Sequence, residues 1–335
     1  MKKIVCALFI LAFLAGYVYA EKGSAAINDM EGDVFVKKAA DKEEIFAEVD
    51  MELQEGDEVI TKEKGSVDLI FDDDSTIIRL SENTNLVVKK IEKDKTSHSS
   101  LLELIKGKIV NIVNKVSGVR KSFEVKTPTA VAAVKGTEFA VEATDKESYV
   151  GVFKGEVNVS GFDAAGNKLQ EVGVKEEKEI KVDKNNRNYA PQILTWRMQK
   201  AKEIRFAILK NLITYQSLKK SGELEKIRTA RKLYKARDLV EFLKTHPGAF
   251  GKMTETQKER TKTFLHEAMK LKETVKVDEL RNKYPLLIEK FRQIQRQRFE
   301  KFKDIQSMQK GREPGKKGPV PQKTGPVQQK PPIRK

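Results

Sequence analysis

Short runs of β-branched and aromatic residues dominate residues 27–182, and many of them alternate with polar positions. Turn residues such as Gly32-Asp33, Gly56-Asp57 and Ser81-Glu82-Asn83 separate these runs about every ten residues. This spacing is typical of a β-sandwich, a barrel or a short β-solenoid, and no amphipathic helix pattern interrupts it. The pattern predicts one all-β domain over residues 21–188.

Beyond residue 188 the apolar positions recur at intervals of three and four, which is the period of an amphipathic helix. Gly222 is predicted to end a first helix, and Pro247 to break a second helix that runs from Glu223 to Lys244. The residues expected to share one face of the first helix are Ile193, Ala201, Ile204, Ile208, Leu212 and Tyr215.

Two further helices are predicted downstream. Thr254 followed by Gln257 forms a capping-box pattern for a third helix, and Asp278 is a cap for a fourth that is entered or kinked at Pro285. Four helices with short connections favour a bundle or helical hairpins over residues 190–310. The predicted fold class is therefore multidomain: a short-strand, sandwich-like or solenoid-like all-β domain, then an all-α basic region, then a disordered tail.

The two ends of the chain have the composition of non-globular segments. Residues 1–20 combine Lys2 and Lys3, an apolar stretch and the small-residue end at Ala20, which predicts a secretory signal cleaved near that residue; an uncleaved signal anchor is the alternative. Cys6, the only cysteine, lies inside it. Residues 311–335 are rich in Lys, Pro, Gly and Gln, which predicts a disordered tail. We expect an exported protein of the periplasm or cell envelope.

The charge is divided unevenly between the two halves. Residues 21–190 carry 26 Lys/Arg against 34 Asp/Glu, whereas residues 191–335 carry 37 against 15. A solvated helix face is one interpretation, but such one-sided charge favours an anionic partner, which in an exported protein is an envelope polymer or lipid surface rather than nucleic acid. The residues predicted to bind this polyanion are Arg228, Arg231, Lys232, Lys235, Arg292, Arg296 and Arg298.

The segment Thr127-Pro128-Thr129-Ala130-Val131-Ala132-Ala133-Val134-Lys135-Gly136-Thr137-Glu138-Phe139 resembles the signature of the FecR domain. Leu53–Thr61 resembles the leading L-x-x-G-D-x-I-x-T stretch of that family, and Leu104–Ile109 and Val152–Val157 resemble its two G-x-V strands. The resemblance covers roughly residues 28–180. It implies a β-domain of the kind named after a periplasmic regulator of iron–citrate uptake.

The signature residues have clear structural uses. Pro128 fixes its own φ and favours an extended Thr127, Gly136 allows an unusual φ or a close neighbour, and the hydroxyls of Thr127, Thr129 and Thr137 can satisfy backbone groups at bends. Phe139 completes the segment. We therefore expect a structural role for these residues, with a ligand groove as the alternative.

The sequence departs from the family in two places. The well-known regulators carry a cytoplasmic anti-sigma region and a membrane span before this domain, whereas this chain begins with the predicted signal, so secreted FecR-like proteins are the better match. The usual Asp-Gly-Ser/Thr turn reads Asp73-Asp74-Ser75. The acidic run Asp72-Asp73-Asp74 also suggests calcium, but it lacks EF-hand spacing, so a plain hairpin turn is favoured.

The sequence offers little for catalysis. His98, His246 and His266 are far apart in sequence and lack partners at metal-ligand spacing, and no nucleophile-elbow, P-loop, dinucleotide-binding or zinc-protease motif occurs. We predict no enzymatic activity, no metal and no cofactor.

Three functions remain open at this stage. The leading hypothesis is an exported binding or scaffold protein, whose β-domain docks a protein or glycan while the basic helices contact an anionic envelope component. The alternative is a FecR-like envelope sensor that signals through a membrane partner. Self-association, acidic half against basic half, is the third.

Overall fold

A computed structural model describes residues 21–40, 42, 44–71, 74–163, 165–184, 189–251, 253–271 and 276–310, with only the backbone for 21–22 and 298–310. The predicted signal (1–20), the predicted tail (311–335) and the segment 185–188 lie outside the described residues.

The described part of the chain begins with eighteen β-strands. They are β1 Glu21–Lys22, β2 Ala25–Glu31, β3 Val34–Lys37, β4 Glu44–Phe46, β5 Glu52–Leu53, β6 Glu58–Thr61, β7 Ser66–Phe71, β8 Thr76–Leu80, β9 Asn85–Lys93, β10 Ser97–Val113, β11 Arg120–Lys126, β12 Ala130–Val134, β13 Thr137–Ala143, β14 Glu147–Lys154, β15 Glu156–Phe162, β16 Lys168–Lys175, β17 Lys178–Asp183 and β18 Gln192–Ile193.

The strands form two sheets that share one long strand. The first sheet has the order β4-β3-β6-β9-β10-β11-β12-β15-β16, with β1 on the end of β9, and the second has the order β5-β2-β7-β8-β10-β13-β14-β17-β18. Among the strands that the structure describes, only the β10–β11 pair is parallel. Strand β10 changes sheet at Gly107, where φ is +96° and a Cβ would lie 2.4 Å from Thr84 Oγ1.

Aromatic side chains join the two sheets across the core. The ring of Phe123 on β11 lies edge-on to Phe71 on β7 and to Phe139 on β13, with centroid distances of 6.1 and 6.3 Å. All three rings are buried. The predicted order of an all-β domain followed by a helical region is confirmed.

Six helices follow the strands in the described part of the chain. They are α1 Trp196–Lys220, α2 Glu223–Thr245, α3 Gly248–Gly251, α4 Glu255–Leu271, α5 Val277–Lys283 and α6 Pro285–Lys310. None of the described helices is both long and apolar enough to cross a membrane.

The helix boundaries test the sequence signals. The predicted capping box is confirmed at the start of α4: Gln257 N–H donates to Thr254 Oγ1 at 3.2 Å, and Thr254 N–H donates to Gln257 Oε1 at 3.1 Å. The breaks at Gly222 and Pro247 are also confirmed. Pro285 divides the predicted fourth helix into α5 and α6, because proline starts a helix but is tolerated poorly inside one.

The placement of Ile193 on the buried face of the first helix is wrong. Ile193 lies in strand β18 and is 72% exposed, because Gln192 and Ile193 pair with β17 before the helix begins. Leu194 and Met198 are buried instead and begin the face that Ala201 continues.

Helix α1 packs along the outer face of the second sheet. Its buried residues Met198, Ile208 and Leu212 belong to one core cluster with the outward-facing sheet residues Ile77 and Val110. The contact is so close that a Cβ on Gly151 of β14 would lie 2.8 Å from Met198 Cγ. The central strands of this sheet are consequently buried on both faces.

Polar bridges fix the position of the helix. Asp68 is 1% exposed and receives two hydrogen bonds from Arg79, at 2.5 and 2.6 Å, and one from Asn211 Nδ2 of α1, at 2.7 Å. Elsewhere along α1, Arg205 lies 3.2 Å from Glu138 and Arg197 2.9 Å from Glu142. Charged groups buried at an interface are stable only when paired in this way.

The start of α1 is held by a buried carboxylate. Glu179 of β17 is fully buried, and its Oε2 accepts hydrogen bonds from Thr195 N–H at 2.8 Å and from Thr195 Oγ1 at 3.0 Å. A carboxylate at this position also interacts favourably with the helix dipole. Glu179 therefore ties the first turn of the helix to the sheet.

The chain divides into two compact units, one through Ala230 and one from Arg231 onward. The strands give way to helices near Leu194, but the first unit extends further because α1 and the start of α2 pack with the sheets. In the second unit, Tyr234, Phe242 and Phe291 are buried.

Helix α1 offers a matched pair of isoleucines for a stability test. Ile208 is fully buried and Ile213 is 64% exposed. We expect Ile208→Ala to lower the free energy of unfolding by about 2–5 kcal/mol, and Ile213→Ala to change it by less than about 0.5 kcal/mol. Urea unfolding followed by circular dichroism measures both, and equal effects would show that α1 does not pack on the sheet.

The packing of α1 on the sheet also makes stability sensitive to alkaline pH, because it buries Tyr215. Burial, with a smaller contribution from the Asp74 carboxylate, raises the pKa of Tyr215 above its ordinary value. The stabilisation linked to its neutral form is complete below the unfolded pKa of about 10 and is lost as pH rises through the folded pKa. We expect stability to fall more steeply above about pH 10 in the parent protein than in Tyr215→Phe. Identical pH profiles in urea titrations would contradict this.

Candidate functional site

The signature segment crosses from the first sheet to the second. It leaves β11 at Thr127, bends through Pro128 and Thr129, follows β12, and enters β13 at Thr137. The bend lies beside Ser148 of β14, so residues of both sheets meet there.

A chain of buried hydroxyl groups stabilises the bend. Thr129 Oγ1 donates to Ser148 Oγ at 2.7 Å, Ser148 Oγ donates to Thr127 Oγ1 at 2.8 Å, and Thr127 Oγ1 donates to the Ala130 carbonyl at 3.0 Å. The Ala130 N–H in turn donates to Thr127 Oγ1 at 2.9 Å. Thr129 and Ser148 are fully buried. These hydroxyls satisfy one another and the backbone, which is a structural role.

The remaining signature residues are placed in the same way. Phe139 is fully buried in the core, and Thr137 Oγ1 donates to the Glu156 carbonyl at 2.9 Å. Gly136 does not have a left-handed φ; it provides room, because a Cβ there would lie 2.3 Å from Lys115 Cγ. A structural role for the whole segment, with a ligand groove as the alternative, stays a prediction.

Beside the end of the signature lies an open polar groove of about 670 Å³. Gly136 and Gly155 form part of its floor, and φ at Gly155 is +90°. The charged residues around it are Lys115, Lys135, Lys175, Glu156 and Glu176. We call these five residues with the two glycines the signature groove.

The signature groove is lined by charged groups of both signs. Its lysines and glutamates are exposed and offer charged donors and acceptors to a polar partner. No group of three or more His, Cys, Asp or Glu suitable for a metal occurs among the described residues. Sequence reasoning did not single out Lys115 or Lys175, although the G-x-V element at Gly155 marked one wall of the groove.

The acidic turn considered for calcium has a protein partner. Asp72 and Asp73 lie outside the described residues. The carboxylate of Asp74 forms an ion pair with Lys219 of α1, and its carbonyl accepts a hydrogen bond from Gln216 at 2.6 Å. Asp74 therefore contributes to holding the end of α1.

The seven predicted polyanion-binding residues do not form one set. Arg228 belongs to the first unit, where its Nε lies 3.3 Å from Asp50 and its Nη1 2.7 Å from Glu225. Arg231, Lys232, Lys235, Arg292 and Arg296 belong to the second unit, and the side chain of Arg298 is outside the described part.

In the second unit, several of these cations contact aromatic rings. Arg231 lies 5.8 Å from the ring centroid of Phe291, and Arg292 lies 5.5 Å from that of Tyr234, so α2 and α6 exchange cation–π contacts. Lys235 lies 4.5 Å from the Phe264 centroid. Lys232 is exposed. Polyanion binding by these residues remains a prediction.

Comparison with known proteins supports the sequence resemblance. Residues 57–158 match the family model described as FecR protein. The match contains the signature segment and Gly155 of the signature groove. The predicted FecR resemblance is therefore confirmed for this part of the chain.

Two solved structures are similar to this chain, both of a candidate anti-sigma factor from Parabacteroides distasonis. Their sequence identities are 20% and 22%, and each match has a TM-score of 0.34 and covers 43% of this chain. This chain spans only 62% of the length of that protein. No curated protein matches the sequence.

The hydroxyl chain can be tested by removing one hydroxyl. We expect Thr129→Val to lower the free energy of unfolding by about 1–3 kcal/mol, because it leaves buried Ser148 without one partner. Thr214→Val is the control. Thr214 is exposed on α1, and this substitution makes the same replacement of a hydroxyl by a methyl group as Thr129→Val. If chemical denaturation gives equal stabilities for the two variants, the hydroxyl chain does not stabilise the bend.

Proposed function

We propose, from the FecR domain formed around residues 57–158, that this protein is a non-enzymatic sensor of the cell envelope that signals through a membrane partner. The observation that carries the proposal is the family match itself, since FecR proteins are regulatory and envelope-associated. Export with cleavage near Ala20 is part of this proposal.

The signature groove is the surface that we assign to the partner. Most of its residues lie within the matched residues 57–158, it is open, and Glu156 and Lys175 stand opposite each other on the paired strands β15 and β16. Binding residues on a rigid scaffold lose little conformational entropy when a partner binds. A protein segment with charges of both signs fits the mixture of three lysines and two glutamates.

A second function is favoured by the charge of the helical region. Residues 191–310 contain 30 basic and 14 acidic residues, which supports a scaffold that holds an anionic envelope component. In this proposal the β-domain docks a protein or glycan, and the basic helices provide salt-sensitive attachment. The two functions differ in whether a defined membrane protein is bound.

Site-specific photo-crosslinking of the full chain in its native cell separates them. A crosslinking residue is placed at Lys135 or Lys175 in the signature groove, and at Lys95 in an exposed turn as the control. The sensor proposal expects one defined membrane protein to be captured from both groove positions and not from Lys95. The double variant Lys135→Glu/Lys175→Glu should abolish capture by a probe at Ser122, which also lines the groove.

Capture of the same proteins from all three positions, or of none from the groove, would contradict the sensor proposal. Retention of the chain in the envelope that is lost at high salt, without a captured protein, would favour the scaffold.

A further inference from the structure

Four exposed large apolar side chains of the first unit lie on strand β18 and helix α1. Ile193, Trp196, Phe206 and Ile213 are 72%, 68%, 63% and 64% exposed. Among the described residues through Ala230, the other exposed large apolar side chain is Ile105, at only 36%. A soluble surface rarely gathers its exposed aromatic and branched residues in one place without a use for them.

The geometry of α1 places these side chains away from the sheet. Met198, Ile208 and Leu212 face the sheet and are buried, whereas Phe206 and Ile213 are seven residues apart and therefore share one exposed side of the helix. Trp196 occupies the first turn, directly after exposed Ile193. The exposed apolar residues thus lie on the part of the helix surface that does not contact the sheet, which we call the outer face.

Exposed lysines lie on the same part of the helix surface. Lys200, Lys210 and Lys220 are exposed, and Glu203 is the acidic residue among them. Within the described part of the chain, neither Lys210 nor Lys220 forms an ion pair, whereas Arg197 and Arg205, which lean towards the sheet, pair with glutamates. The outer face of α1 therefore combines apolar side chains with lysines, two of which form no ion pair within the described residues.

We propose that the outer face of α1, defined by Trp196, Phe206, Ile213, Lys200 and Lys210, binds the surface of an anionic lipid bilayer. An interfacial helix has this composition: aromatic and aliphatic side chains enter the boundary of the acyl chains while lysines reach the headgroup phosphates. Tryptophan is favoured at the interface between the acyl chains and the headgroups, because its large apolar ring carries a polar N–H group.

The charge of the lysines distinguishes between the possible binding partners of the outer face of α1. A second copy of the same face would bring the lysines of both copies together, which is unfavourable. An apolar protein groove would satisfy Phe206 and Ile213 but would leave Lys200 and Lys210 without anions. An anionic bilayer satisfies both groups at once. The inference rests on the proposed envelope role only in that an exported protein meets such a surface, and it names a site separate from the signature groove.

Trp196 is the only tryptophan in the chain, so its fluorescence reports on this face alone. The processed chain, residues 21–335, is mixed with vesicles of phosphatidylcholine, or of phosphatidylcholine with phosphatidylglycerol. We expect a blue shift of the emission and quenching by brominated lipid with the anionic vesicles, and no change with the zwitterionic ones. High salt should weaken the effect.

Exposed substitutions then localise the binding. Phe206→Ser/Ile213→Ser should weaken partitioning into anionic vesicles by about tenfold or more, because two apolar side chains no longer leave water. The matched control is Met269→Ser/Leu286→Ser in the second unit, where the side chains are 76% and 85% exposed; it should bind like the parent protein. Circular dichroism checks that all variants are folded.

Two results would overturn the inference. The first is binding to anionic vesicles with unchanged Trp196 emission and no effect of the Phe206 and Ile213 substitutions, which would assign the lipid contact to the basic second unit. The second is no vesicle binding, in which case a protein covers this face. Neither result affects the sensor proposal, which depends on crosslinking from the signature groove.

Discussion

The burial of the second sheet's outer face by helix α1 is the constraint on which the rest of the first unit depends. Three apolar side chains point outward from this sheet: Ile77, Val110 and Ile112. All three are fully buried because the helix covers them. An uncovered sheet would present this apolar surface to water. The helix is fixed at its start by Glu179 and along its length by Asp68, so its orientation on the sheet is specified by polar contacts as well as by packing.

This arrangement gives α1 two chemically different sides. The inner side uses arginines, an asparagine and a lysine to match acidic groups of the strands, so part of the charge difference between the halves of the sequence is balanced within one chain. The outer side has apolar groups and lysines that the strands do not match. Because the inner contacts hold the helix rigid, the outer face and the signature groove belong to one folded unit.

Strands and helix boundaries could be predicted because their signals are local. The Thr254–Gln257 box, the break at Pro247 and the FecR signature all depend on residues that are close in sequence. The packing of α1 on the sheet could not be predicted from the sequence. Met198 contacts Gly151 only after the strands have assembled. Ile193 was misplaced for the same reason: the helical period continued through it, and pairing with β17 took priority. Strands such as β8 do indicate that something covers the outer face of the sheet, because their consecutive apolar residues are typical of burial on both faces.

Helix α1 is an integral part of the folded β-domain, because it shares a core with the second sheet. Native-state hydrogen exchange of the full chain, read by mass spectrometry, tests it most directly. We predict that the amides of α1 are protected with the same opening free energy as those of β8 and β13, because helix and sheet share one core and open together. Rapid exchange throughout α1, while β8 and β13 stay protected, would contradict it and would make the helix part of a separate basic region.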